Sequence, residues 1–186
     1  MVSIFSYLAA MIPTETVIRD IEQSALELRQ VLGGFSPEQF NQKPPFNRWS
    51  PGQIAEHILL YDILINRTLK GEIKKADRPE NKKISLIQSV CTNLGKKSEA
   101  PESVIPSDTL KDPFALTEKI NLQRQQLIWT VKTMDLSPLC LSFIHPEFGE
   151  LTRLEWIYFS IAHTARHSRQ LRGEEITEEE AVKNRV

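Results

Sequence analysis

The side chains in this sequence best placed to do chemistry are histidines, and four of them, His57, His145, His163 and His167, stand in 186 residues. His163 and His167 are spaced i, i+4, so on a helix they lie about 40° apart around the axis and about one turn apart in height. Two imidazoles on one face at that spacing can share a metal ion, as they do on the HExxH zinc helix. The intervening residues are Thr164, Ala165 and Arg166, so the glutamate base of that motif is absent. An isolated HxxxH reads as readily as a polar pair at the edge of a core. Here the pair continues an apolar line through Trp156 and Phe159, and imidazoles taken into a core are costly unless their nitrogens are satisfied. One cation satisfies both. His57, three residues after Ile54 and four before Tyr61 on the inward stripe of another helix, is the candidate third ligand, although a lone histidine there also suits a hydrogen-bonded core position. The expected site is one divalent metal ion on His57, His163 and His167.

Three nitrogen ligands leave a coordination position open, the mark of a catalytic rather than a structural site. Such an ion can lower the pKa of bound water for hydrolysis or favour the thiolate form of a small thiol. Hydrolysis wants a general base beside the water. Glu56 is turned away by its adjacency to His57, Asp62 and Glu155 are poorly phased, and no catalytic residue is assigned; that favours thiol chemistry. Tyr61 and Gln170, at i+4 from His57 and i+3 from His167, could orient ligands or simply pack or cap. Arg166 could meet an anionic substrate but is expected to be exposed. His145, in His145-Pro146-Glu147-Phe148-Gly149, is read first as a turn residue. Trp49 is read as a staple onto Ile54 that could also wall a pocket. Cys91 and Cys140, without CxxC spacing, are read as small buried residues in a reducing compartment.

Four helical segments are needed to position these groups. The first spans about 14–32, with Val17, Ile21, Ala25, Leu28 and Leu32 on one stripe, Thr14 as cap, and Gly33-Gly34 as a left-handed stop. The second opens on Ser50-Pro51-Gly52-Gln53, a cap, an N1 proline and a capping-box partner, and stops near Gly71. The third opens on Asp112-Pro113 and runs to about Met134. The fourth opens on Thr152 with Glu155 at N3 and runs to about 171–173. Its first turns are apolar nearly all round, which requires a central position or cover from a partner subunit. Little or no sheet is expected, with 139–144 a short extended stretch.

Between the second and third helices lie about forty residues, 72–111, with one short helix expected over 84–94. A connector that long permits a crossover and makes those two helices parallel. The fourth then runs antiparallel to the second, putting His57 about 10 Å, and His167 and His163 about 9 and 15 Å, from the same end of the bundle. In the parallel alternative the pair lies about 16 to 22 Å from that end, too far to share an ion with His57. The fold class is therefore all-α, a four-helix bundle with a long crossover between helices 2 and 3.

The composition is that of a globular domain: 40% hydrophobic, 25% charged, net charge −1. That balance offers no basic surface for nucleic acid or an anionic membrane. Residues 1–12 are apolar but lack a basic leader and are cut short by Pro13 and Glu15; they are read as an arm or extension, with Met11 as an alternative start. Residues 13–173 form the bundle, 174–186 a charged tail, and the expected location is cytoplasmic.

The blocks Arg48-Trp49-Ser50-Pro51 leading to His57, His145-Pro146-Glu147-Phe148-Gly149-Glu150-Leu151-Thr152, and His163-Thr164-Ala165-Arg166-His167-Ser168-Arg169-Gln170-Leu171 resemble the DinB/YfiT-like superfamily of metal-binding bundles. The resemblance implies a zinc or nickel ion on the three matched histidines and frequent homodimers. It also implies a small-molecule substrate, with a low-molecular-weight thiol as cosubstrate, since relatives include thiol S-transferases and a thiol-dependent isomerase. A thiol S-transferase is the leading expectation, with a metal-dependent hydrolase on the same site or a non-enzymatic, stress-associated metal binder as alternatives.

Overall fold

In a computed structural model, residues 12–45, 48–95 and 100–174 are described. The expected arm and tail fall, apart from Ile12 and Glu174, outside the described residues. Among the described residues there are six α-helices: α1 (Thr14–Leu32), α2 (Pro37–Asn41), α3 (Pro51–Lys70), α4 (Ile84–Thr92), α5 (Pro113–Thr133) and α6 (Arg153–Leu171). The local start signals act as their chemistry dictates. Ser50 and Thr152 accept from the amides of Gln53 and Glu155, whose side chains reach back to complete capping boxes, and Asp112 accepts from the Ala115 amide at 2.7 Å.

Three local expectations are corrected. Thr14 lies inside α1, and Pro13 holds the cap position without a side-chain bond. Gly33 stays right-handed at φ −67°, so α1 does not stop on a left-handed glycine; Gly173, just beyond α6, does turn left-handed, at φ 73°. Ala25 is half-buried, and Ser24 instead takes the core stripe of α1. The short α2 was not foreseen, although Ser36-Pro37-Gln39 repeats the capping signal of α3.

The bundle topology is the expected one. Asn66 of α3 bonds to Gln123 of α5 and Lys70 to Gln126, so these helices run parallel across the crossover. Against α6 the pairing reverses: Ser160 bonds to Asp62, and Arg153 donates to the Leu69 carbonyl. Helix α1 packs on α5 and α6, and α4, carried by the crossover, packs on α6. The all-round apolar start of α6 is thus covered within the chain. Sheet is confined, among the described residues, to the two-residue strands β1 (Ile73–Lys74) and β2 (Leu139–Cys140), antiparallel with Ile73 opposite Cys140.

The core is divided. One apolar cluster holds Ile21, Ile65, Leu69, Leu127 and Trp156, and the other Leu28, Ile54, Ile58, Leu116 and Ile120. Between them lies a polar layer. Arg124 of α5, 2% exposed, pairs with Asp62 of α3 at 2.9 Å and donates to Ser160 and Thr164 of α6.

Candidate metal centre

The antiparallel run of α3 and α6 brings His57, His163 and His167 together, with one ligand nitrogen from each inside a group spanning at most 4.8 Å. The Nε2 atoms of His163 and His167 are 3.1 Å apart. Two nitrogens each about 2.0–2.1 Å from a zinc ion at tetrahedral angles would be about 3.3 Å apart, so the pair already has the spacing of ligands.

The surrounding groups fix which nitrogens point inward. His57 Nδ1 donates to the carbonyl of Val104 at 2.7 Å, and His167 Nδ1 meets Gln170 Oε1 at 2.9 Å. A carbonyl oxygen can only accept, so both rings carry the proton on Nδ1 and present the Nε2 lone pair to the centre. Burial, with mutual repulsion, pushes His163 well below the usual imidazole range, and burial takes His167 down to about 3 and lowers His57. The three rings are therefore neutral at pH 7, the form that binds a metal. Lone pairs converging on one point need a proton or a cation between them, and the donor set fits a divalent ion.

The centre forms one wall of a cavity of about 550 Å³. The ring of Trp49 lies 4.8 Å from that of His57, Tyr61 lies 4.5 Å from His163, and Phe159 stacks on His163 at 5.2 Å. Trp49 also joins the cluster containing Ile54, so the staple and the pocket wall are one side chain. Gln170, through its bond to His167 Nδ1, is placed to orient that ring.

His145 and Arg166 differ from expectation. His145 is in the turn, bridged to Gly149, whose φ of 66° suits glycine there. It is also 6% exposed, and it lines the cavity. Its Nδ1 accepts from the amides of Glu147 and Phe148 at 3.2 and 3.3 Å, so the turn is tied down by its own imidazole. Arg166, expected to be exposed, is half-buried and donates to the carbonyls of Cys91 and Asn93 at the C-terminus of α4, where a cation meets the negative end of the helix dipole. Arg169 does the same for Thr92 at 2.8 Å. Sequence alone did not reveal this because α4 reaches α6 only through the crossover.

Three of the acidic side chains are committed elsewhere: Glu56 to Lys111 at 2.8 Å, Asp62 to Arg124, and Glu155 to Arg78 at 2.6 Å. Glu147, exposed at the cavity rim, was not singled out in the sequence; its place in the His145–Gly149 turn was the available signal. Cys91 and Cys140 are buried, and burial pushes their thiols up to about 12 and about 11. These are not activated nucleophiles. Among the described residues no helix is long and apolar enough to cross a membrane.

The buried imidazoles set an acid limit on stability. His145 is held at about 4 by burial, against 6.5 when unfolded. Between those values the unfolded chain binds the extra proton, so stability is complete above pH 6.5 and falls as pH drops towards 4, by about 3 kcal/mol for this residue. Asp62, pushed up by burial, acts in the opposite sense. Comparison with His145→Gln isolates the histidine share: urea midpoints of the metal-free protein should fall more steeply from pH 7 to 5 than those of the variant. Parallel profiles would contradict the assignment.

Residues 20–171 match the DinB superfamily. Among curated proteins, the uncharacterized protein YuaE of Bacillus subtilis (strain 168) is 28% identical over 150 residues, covering 81% of this chain and 91% of YuaE. No solved structure matches. With the family match running from within α1 to the end of α6, the chain belongs to the DinB superfamily.

Proposed function

We propose that the protein is a metal-dependent S-transferase that joins a low-molecular-weight thiol to an electrophilic small molecule. The observation that carries this reading is the convergence of three neutral imidazoles on the wall of an aromatic-sided cavity, with the acidic groups of α3 and the start of α6 tied into ion pairs elsewhere. His57, His163 and His167 would hold a divalent zinc or nickel ion, which would supply Lewis acidity to a bound thiol or water. The chain's own residues do the rest. Val104 and Gln170 hold two ligand rings in register, and Trp49, Tyr61 and Phe159 give the electrophile an apolar wall and thin the water around the reacting atoms. In the transfer, the thiol sulfur bonds to the electrophilic carbon, the leaving group departs with the bonding pair, and the thiol proton passes to solvent. Such a step needs no carboxylate base, which agrees with the pairing of Glu56, Asp62 and Glu155 to Lys111, Arg124 and Arg78.

The rim carboxylate of Glu147 supports a second reading, hydrolysis on the same centre. The two separate cleanly. Zinc- or nickel-loaded protein is offered bacillithiol, mycothiol or glutathione with 1-chloro-2,4-dinitrobenzene, and conjugate is followed by absorbance. Thiol-dependent conjugation that is lost in His163→Ala is expected. A test with activated esters that gives turnover without any thiol, lost in Glu147→Gln, would replace transfer by hydrolysis.

A further inference from the structure

The ring of Tyr61 fills the corner between the two ligand helices. It leaves α3 four residues after His57 and so on the same face. It meets the ring of His57 edge-on at 5.0 Å, that of His163 at 4.5 Å and that of Phe159 at 5.4 Å. These contacts account for an aromatic ring at this position but not for a hydroxyl, since phenylalanine would pack as well and already lines the cavity at Phe148 and Phe159. A buried phenol ordinarily gives its O–H to an acceptor. Tyr158 does so, donating to Asp20 at 3.1 Å. For the Tyr61 hydroxyl there is no acceptor among the described residues, and Tyr61, 6% exposed, opens onto the cavity beside the three imidazoles.

The carboxylates of α3, Glu56 and Asp62, are held by Lys111 and Arg124, so the hydroxyl is left for an acceptor from outside the chain. Its surroundings define that acceptor. The imidazoles turn lone pairs towards the centre, which calls for a cation, and Tyr61 adds a donor beside them. A ligand atom that serves both must carry at least two lone pairs, one for the ion and one for the hydroxyl. A thiolate sulfur does; an imidazole nitrogen, its single lone pair spent on the ion, does not. We propose that the Tyr61 hydroxyl donates a hydrogen bond to the sulfur of the thiol cosubstrate and holds it as the thiolate, an inference that rests on the S-transferase reading above. The phenol keeps its own proton throughout. The thiol proton goes to solvent, the sulfur bonds to the electrophilic carbon, and the leaving group departs with the bonding pair. As charge leaves the sulfur for the new bond the hydrogen bond slackens, so it grips the reactant more than the product.

The test compares the full chain with Tyr61→Phe, which keeps the ring and removes only the donor. Each protein is loaded with Ni²⁺ and titrated with 2-mercaptoethanol without electrophile, and the sulfur-to-nickel charge-transfer band is followed against pH. The pH midpoint of the band should move upwards by about 1 to 2 in Tyr61→Phe, the worth of one hydrogen bond to a charged group. Ni²⁺ affinity and circular dichroism should not change, and imidazole should bind both loaded proteins equally. Conjugation of 1-chloro-2,4-dinitrobenzene should fall in the variant below its midpoint and converge with wild type above it, a pattern that loss of packing does not produce. An unshifted midpoint alongside normal wild-type conjugation overturns the role of Tyr61 and leaves S-transfer standing. A wild type that gives no band with the thiol overturns both. A variant that loses Ni²⁺, or that binds imidazole and thiol equally weakly, assigns Tyr61 to packing around the ligands and overturns the proposal.

Discussion

His163→Ala should reduce the affinity for Zn²⁺ or Ni²⁺ by more than ~100-fold, since loss of a group that merely orients a ligand already costs about 10- to 100-fold. The substitution removes one of three converging nitrogens and also the Nε2 contact at 3.1 Å that positions His167. His163 is half-buried, so the metal-free fold should survive. Competition against a chromophoric chelator gives the affinity directly. Thermal unfolding gives an independent reading: an ion present at a thousand times its dissociation constant stabilises the folded chain by about 4 kcal/mol, and the variant should lose nearly all of that gain. Unchanged affinity in His163→Ala and in His57→Ala would dismantle the three-histidine assignment.

Arg124→Ala should cost about 3 to 5 kcal/mol of stability, because it strands the Asp62 carboxylate in a core with no water to solvate it. Asp62→Ala should cost a similar amount by stranding the guanidinium. The pair has no claim to be a strong net stabiliser: the double variant Asp62→Leu/Arg124→Met, close in volume, should recover most of the loss. Urea midpoints for the four proteins make the comparison. The comparison has a second readout, since Arg124 bonds to Thr164, next to His163. A double variant that is stable but binds metal more weakly would mark the ion pair as a positioning device for the ligand helix. Equal destabilisation in the single and double variants would show that the ion pair is itself a net stabiliser and would overturn this reading.

The features readable in the sequence were those encoded within one turn of chain. Ser50-Pro51-Gln53, Asp112-Pro113 and Thr152-Glu155 set three helix starts by side-chain to backbone bonds, and those starts fixed the levels at which the histidines meet. The length of the 72–111 connector supplied the direction of α6. What escaped was whatever depends on elements distant in sequence. Arg166 looks solvent-facing on its own helix, and only the arrival of α4 turns it towards the carbonyls of Cys91 and Asn93. The phase of Asp62 relative to the ligands says nothing of its partner Arg124, sixty-two positions along, which carries no local mark. His145 was correctly placed in a turn, but its place in the cavity wall follows from Phe159 and Trp156, whose ring centres come within 4.6 and 5.6 Å of its own.

The hydrogen bond from His57 to Val104 has a thermodynamic consequence for the crossover. Residue 104 is completely buried, although it belongs to a 3₁₀ turn (Glu102–Val104) in the middle of a forty-residue connection. The ring that presents its lone pair to an ion is the same ring that donates to this carbonyl, so the docked strap and the competent ligand are two descriptions of one state. Anything that frees the strap lowers the fraction of molecules with His57 correctly poised, and an ion that selects the poised ring tightens the strap by the same factor. Cation occupancy should therefore be written into the amide exchange rates of Val104 and Ile105, and the connector becomes a reporter on the centre it encloses.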